Sequence, residues 1–441
     1  MTEKKENIDL SIENAWILTM DEDYNEFRNG CIQISGGKLL YIGPMEGRPL
    51  VPADKIVDAE GMIIAPPFFN GHAHVPMSLL RGLGDDSPLK VWLEKYIWPA
   101  EAKYVNSDFV YLGSLLSGIE AIRSGSNIFA DMYFFEDEVA KASSLLGLRS
   151  IIGEAILDYP TPNMKDPESG IAYSEKLIEK YADNELVSLS ITAHAPYTCS
   201  EVNLRKVAHL SQKYGIPASI HLSETKEEVE QSIANFGKSP VKYLADIGFF
   251  DYHAVCHHCN HLSTDDISIL KDYGVSVVTL PNSNCKLASG IAPITELIDA
   301  GVNVALGTDG AASNNNTSML NDMQLMTKLQ KVIKSDPTVI TAKQALQIAT
   351  LNGAKAYRMD STLGSLEIGK KADLIFIDTS APNMVPMYDP YAQIVYSMQN
   401  YDIHSMIVNG EFLLKNRTVQ GIDEEDILNQ VRKFAEKLDI N

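Results

Sequence analysis

The chain has 441 residues, 45% hydrophobic and 22% charged, a balance ordinary for a globular protein with one large core and a smaller unit beside it. Its formal net charge of −21 argues against nucleic-acid polymers as partners, because so acidic a surface repels phosphate backbones. No tract approaches the roughly 20 apolar residues that cross a bilayer, so no membrane role is expected.

The first segment, MTEKKENIDLSIENAW, carries charge but not the apolar stretch of a secretory leader, and a cytosolic location is the expectation. Residues 8–60 read as short strands broken by Gly, Asn and Asp turns: LSIENAWILTM, GCIQISGGKLLYIG and KIVDAEG. A longer middle stretch then alternates apolar runs with helical patterns. The runs are MIIAPPFFNGHAH, SNIFADMYF, LRSIIGEAIL, VSLSITAHAPY, PASIHLSET, HAVCHHCNHL, VSVVTLPNSN and NVALGTDGA, eight in all. Segments such as FVYLGSLLSGIEAIRSG, NLRKVAHLSQKYG and TDDISILKDYG separate them with helical periodicity. Eight strand–helix units predict an α/β fold, a (β/α)8 TIM barrel over residues 64–365. An open doubly wound sheet would need a glycine-rich phosphate loop after an early strand, and the sequence has none. The C-terminal runs ADLIFIDTS and HSMIVNGEFLLKN again read as strands, with Asn409-Gly410 a strong hairpin signal. Segments 1–63 and 366–441 are therefore expected to meet as one small β-sandwich domain.

The five cysteines, Cys31, Cys199, Cys256, Cys259 and Cys285, are odd in number and sparse, which fits a reducing compartment without a disulfide framework. The Cys256–Cys259 pair lacks the second ligand pair of a zinc knuckle and reads as two thiols.

Chemistry-bearing residues gather at the ends of the apolar runs, where a barrel of this kind places its site. His72 and His74 follow the first run, His194 the fourth, His221 and Glu224 the fifth, His258 the sixth and Asp309 the eighth. Residues i and i+2 of a strand face the same way, so His72 and His74 can reach one ion at about 2.0–2.1 Å. His221 and Asp309 would complete the shell. Imidazole with carboxylate suits zinc best, and iron, nickel and manganese accept the same donors. A divalent ion lowers the pKa of its water towards about 7. Glu224, three residues after His221, is placed for proton transfer. Asp309 could bind the ion with one oxygen and accept the water's proton with the other. His258 could orient the nucleophile or polarise the reacting group.

The stretches PPFFNGHAHVPMSLLRG, VWLEKYIWPAEA, TAHAPYTCS, HLSETKEE, HHCNHLS, PNSNCKLASGIAP, ALGTDGAASNN and GSLEIGKKADL, in this order, resemble the amidohydrolase superfamily. The resemblance is to the aminohydrolase branch that includes 5′-methylthioadenosine/S-adenosylhomocysteine deaminases and triazine hydrolases. It implies metal ligands at His72, His74, His221 and Asp309 and a proton-shuttling glutamate at Glu224. It places the histidine of the H-C-x-H-L motif at His258, with His257 as the shifted alternative. It implies a ribose contact at Glu101 of the W-P-x-E motif and a further substrate contact at His194. The bridging carboxylated lysine of binuclear relatives has no counterpart, which implies one metal per chain. Members acting on S-adenosylhomocysteine often carry an arginine at the end of the third strand, where this chain has Glu154. A charged glutamate there would repel a carboxylate tail, so Glu154 is a candidate for substrate selection.

The implied activity is hydrolytic deamination of an adenine nucleoside such as 5′-methylthioadenosine, 5′-deoxyadenosine, adenosine or S-adenosylhomocysteine, with release of ammonia. Alternatives are another aminated heterocycle (a free purine, pterin or triazine) or a catalytically silent scaffold. Retention of all four ligands with Glu224 and His258 weighs against the scaffold. The partner is a small molecule, and a homo-oligomer is left open.

Overall fold

A computed structural model of the chain describes residues 8–438; residues 1–7, within the segment read as lacking a leader, lie outside the described residues. All eight apolar runs form parallel strands. They lie at Phe68–His74, Ser126–Asp131, Arg149–Ile152 with Ala155–Ile156, Val187–Leu189 with Ile191–Ala193, Ala218–Leu222, Ala254–His258, Ser276–Thr279, and Val304–Leu306 with Asp309–Gly310. Every residue of Ser126–Asp131, Ala218–Leu222 and Ala254–His258 is buried. That is why these strands read as continuous apolar runs rather than alternating ones.

The strands form a five-stranded and a six-stranded parallel sheet. Three runs contribute to both sheets, changing over at Gly153-Glu154, at Ser190 and at Gly307-Thr308. Hydrogen bonds continue across the changeovers, from Ser190 N–H to the Ile152 carbonyl at 3.0 Å and from Thr308 N–H to the His72 carbonyl at 3.1 Å. The architecture is a TIM-barrel-like α/β fold. Helices Ser107–Arg123, Glu201–Tyr214 and Thr264–Asp272 occupy the predicted helical segments. Asn106 caps the first, Gly215 ends the second in the left-handed region, and a Ser263/Asp266 capping box starts the third.

The N- and C-terminal strands share one nine-stranded sheet, joined by antiparallel pairing of Leu374–Ile377 with Ile63–Ala65. Asn409 and Gly410 make the expected tight turn, with φ of 51° and 83°. The strand-only reading of the C-terminal region missed the helix Glu424–Ala435. Its signals were an Asp423 cap, acids in the first turn and Arg432 and Lys433 in the last. This helix lies on Ser107–Arg123: the rings of Phe434 and Phe109 meet edge-on at 5.6 Å, and Arg123 grips Glu424 with bonds of 2.9 and 2.6 Å. Among the described residues no helix is long and apolar enough to cross a membrane.

Candidate active site

The C-terminal ends of the strands bring the sequence-distant histidines together. Asp309 pairs with Ala73, between His72 and His74, and His221 pairs with His257 on the next strand. The backbone is unusual where these donors leave their strands. Ser223, His258, Cys259 and Asp309 have φ of 50°, 66°, 52° and 61° without being glycine. Such conformations cost about 1–3 kcal/mol each and persist only where the surroundings hold them. Gly307 permits the closest approach: a Cβ there would lie 2.7 Å from His72 N.

Nε2 of His72 lies 3.2 Å from Nε2 of His221 and 3.6 Å from Oδ1 of Asp309. Nε2 of His74 lies 3.2 Å from the same Oδ1. A tetrahedral shell with bonds of about 2.0–2.1 Å has edges of about 3.3 Å, so this donor set fits one ion. The outer contacts agree. Nδ1–H of His74 donates to the Met132 carbonyl at 2.5 Å, and Nδ1–H of His221 to the His194 carbonyl at 2.7 Å. With an ion in place, both rings would turn Nε2 lone pairs towards it. Oδ2 of Asp309 accepts the hydroxyls of Ser283 at 2.5 Å and Ser313 at 2.8 Å, which leaves Oδ1 facing the histidines. His258 is a further donor within reach: His72, His221 and His258 bring ligand atoms within 4.8 Å of one another, as do His72, His74 and Asp309.

Burial pushes His72 down to about 3 and His221 well below the ordinary imidazole value. Burial also opposes charge on His74, but its hydrogen bond to Asp309 and that carboxylate's charge lift it to about 9. Asp309 is held well below the usual range, the bonds from His72 and His74 outweighing its burial.

Glu224 sits beside this cluster. Its Oε1 accepts the Ser289 hydroxyl at 3.0 Å, its Oε2 lies 3.8 Å from Nε2 of His258, and burial lifts its carboxyl above the usual range. The amidohydrolase family matches residues 63–413. The chain belongs to that family.

Among relatives, it is 40% identical to the 5-methylthioadenosine/S-adenosylhomocysteine deaminase of Syntrophobacter fumaroxidans, over 97% of this chain and 98% of that one. It is 40% identical to the 5'-deoxyadenosine deaminase of Methanosarcina acetivorans, over 98% of each. Its structure resembles a crystal structure of an adenosine deaminase from Xanthomonas campestris with bound zinc. The TM-score is 0.95 and the identity 32%, covering 98% of this chain and 99% of that one.

The remaining candidate residues of this amidohydrolase stand at differing distances from the cluster. Glu101, on the helix Trp98–Tyr104, accepts the Tyr133 hydroxyl at 2.7 Å, and burial pushes it up to about 7. The Tyr133 ring lies 6.3 Å from that of His74. His194 is held by Thr198 Oγ1 at 2.9 Å, and burial keeps it neutral by pushing it down to about 4. Its ring lies 5.0 Å from that of His221. His257 stacks on His72 with centroids 3.8 Å apart, while His258 is the one that faces Glu224.

Glu154 is buried, 1% exposed. It accepts the Glu136 N–H at 3.3 Å, and burial pushes its carboxyl up to about 8, a direction that favours the uncharged form. Glu228 escaped the sequence reading because its KEEVE surroundings look like a solvated helix face. It is buried, and its carboxylate accepts the N–H groups of Ser223 at 2.9 Å and Glu224 at 2.7 Å, strapping the turn that presents Glu224.

Proposed function

We propose that this chain is a zinc-dependent aminohydrolase that deaminates an adenine nucleoside, with 5′-methylthioadenosine, 5′-deoxyadenosine, adenosine and S-adenosylhomocysteine as the substrate group. The observation that carries this is Glu224, buried and lifted in pKa, beside a four-donor cluster in a chain 40% identical to enzymes named for this reaction. His72, His74, His221 and Asp309 would hold one divalent ion. When bound, the ion supplies Lewis acidity that lets a water lose its proton near neutral pH.

The chain's own residues do the rest. Asp309, held ionised, and Glu224 are the two carboxyls able to receive the proton of the attacking water. Glu224 delivers a proton to the ring nitrogen next to the carbon that carries the amino group, which favours addition at that carbon. The proton that Asp309 or Glu224 took from the water passes to the amino group, the tetrahedral carbon collapses to the carbonyl, and ammonia leaves. His258, whose Nε2 faces the Glu224 carboxyl, would orient the attacking water. Glu101 would bind the ribose hydroxyls, His194 would contact the substrate as a neutral ring, and Glu154 would shape the pocket from behind Tyr133 rather than touch the ligand as a charge.

In the same reading, the two parallel sheets are parts of one closed (β/α)8 barrel over residues 64–365. Segments 1–63 and 366–441 form the small β-sandwich unit, and the protein works in the cytoplasm on small molecules rather than nucleic acid. The test is ammonia release from a panel of adenine nucleosides, free purines, pterins and triazines by the zinc-loaded protein. Turnover led by a nucleoside is expected. Turnover of free bases or triazines alone would overturn the nucleoside reading, and ammonia from none would overturn the enzyme.

A further inference from the structure

Two motifs are only partly used by that reading: the run His257-His258-Cys259-Asn260-His261 and the run Pro281-Asn282-Ser283-Asn284. A chain of buried hydrogen bonds joins them. Nδ2 of Asn260 donates to the backbone carbonyl of Glu224 at 3.0 Å. Nδ2 of Asn284 donates to Oδ1 of Asn260 at 2.8 Å. Nδ1 of His258 lies 2.8 Å from Oδ1 of Asn284. Asn260, Asn284 and His258 are all buried, so water does not compete for these groups.

The direction of this chain is forced from one end. A backbone carbonyl can only accept, so Asn260 must turn its amide nitrogen towards Glu224. Its oxygen then faces Asn284, which must donate with nitrogen and present oxygen to His258. His258 must donate in turn. We propose that Asn260 and Asn284 are positioning residues that fix the tautomer of His258, with its hydrogen on Nδ1 and its lone pair on Nε2. The opposite tautomer would set a lone pair against the Asn284 oxygen. Flipping both amides to relieve that contact would set the Asn260 oxygen against the Glu224 carbonyl, leaving two buried acceptors face to face.

The consequence lies at Nε2, on the side of the Glu224 carboxyl. An acceptor there can take a hydrogen bond from an O–H of the attacking water and aim its lone pair at the substrate, whereas a donor would engage that lone pair. The same two asparagines tie together the residues on both sides of the reaction. Asn260 holds the Glu224 peptide. The Asn284 carbonyl accepts the N–H of Ser289 at 2.9 Å, and the Ser289 hydroxyl holds the Glu224 carboxyl at 3.0 Å. The catalytic consequence rests on the deaminase reading; the tautomer does not.

The test uses zinc-loaded protein with ring-15N-labelled histidine, the His258 signals being assigned by their absence in His258→Gln. In its neutral form the wild-type ring should show the Nδ1–H tautomer alone, and Asn284→Ala and Asn260→Ala should each lose that single state. Both variants should keep their zinc and their KM while kcat falls by about 10²-fold, the lower range for a misplaced acid–base group. The double variant should fall little further than the worse single one, because the two act in one chain. A neutral Nε2–H tautomer in the wild type overturns the proposal even if neither variant folds. So does an unchanged tautomer in both variants, or losses in kcat that simply multiply. Failure of the nucleoside reading would show instead as absence of turnover with the tautomer as stated.

Discussion

Arg149 opens the strand Arg149–Ile152 and Glu154 follows its other end, where the run changes sheets, and the protein treats their buried groups in opposite ways. Arg149 is fully met. It makes bonds of 2.6 and 3.1 Å to Asp373, another of 3.0 Å to the Glu185 carbonyl, and one to Asn409 Oδ1. Asp373 accepts further bonds from Asn127 at 2.6 Å and from Asn409 N–H at 2.8 Å. Glu154 accepts one long bond from Glu136 N–H, and three buried carboxyls crowd together here: Asp131 and Glu136 meet carboxyl to carboxyl, with Glu154 beside them, and no cation is paired with any of them among the described residues. At the floor the charges cancel and every lone pair is used, which is what a junction with the terminal sheet requires. At the mouth the local rules are broken, as happens where a constellation is held for chemistry rather than for stability.

If the two ends are separable, a substitution at the mouth should cost turnover and not stability, and one at the floor the reverse. The largest effect belongs to Glu224. Glu224→Gln should lower kcat by about 10²–10⁴-fold. Zinc content and the thermal midpoint should stay as in wild type. Near-normal kcat would remove Glu224 from the reaction and leave the mouth without its main proton carrier.

The floor comes next. Asp373→Ala leaves the Arg149 guanidinium buried and unpaired, with both side chains only 4% exposed in the native pair. Breaking such a pair from one side costs about 3–5 kcal/mol. Urea unfolding should show that loss, while kcat of the folded protein stays within a few-fold. A loss of kcat as large as that of Glu224→Gln would mean that floor and mouth are not independent.

Glu101 gives a smaller effect, and it sharpens the substrate rather than the chemistry. A charge-assisted contact with ribose hydroxyls contributes about 1.5–3 kcal/mol. Glu101→Ala should therefore weaken kcat/KM for nucleosides by that amount and leave free bases nearly unaffected. Equal losses on both would make Glu101 a support for Tyr133, whose hydroxyl it accepts, and not a ribose ligand.

The same contrast explains what the sequence made legible. The eight strands could be read because burial on both faces makes them continuous apolar runs. His72, His74, His221, Glu224, His258 and Asp309 could be read because each lies at or just beyond the C-terminal end of such a run, so that chain order reports position in space. Glu228, Asn260, Asn284, Ser283 and Ser313 could not. They act through hydrogen bonds to backbone or to other side chains, and a short polar residue beside a strand end looks the same whether or not it makes one. The burial of Glu154 was equally hidden. It depends on how the start of the helix Glu136–Leu146 folds over the strand end, a contact between separate elements that no local pattern records.

Glu154 also carries the smallest effect, with a sign fixed by that burial. Its carboxyl is raised from 4.5 to about 8 in the folded protein. Between those values the native state binds a proton that the unfolded chain has released. Stability contributed by this group is therefore fully present below about pH 4.5, falls as pH rises through the window, and levels off above about pH 8. Glu154→Gln removes the titration and one of the three acids in this buried cluster. The variant should match wild type near pH 5 and exceed it by about 1–2 kcal/mol near pH 8. That is less than the full shift implies, because two other carboxyls remain in the cluster. Urea unfolding across this range, with zinc in excess so that ligand protonation does not intrude, measures the difference directly. A pH-independent difference, or a wild type more stable at pH 8, would mean that Glu154 is ionised and solvated. A charged Glu154 would then repel an anionic tail. Turnover of S-adenosylhomocysteine should then lag behind that of 5′-methylthioadenosine, and Glu154→Arg should narrow the gap.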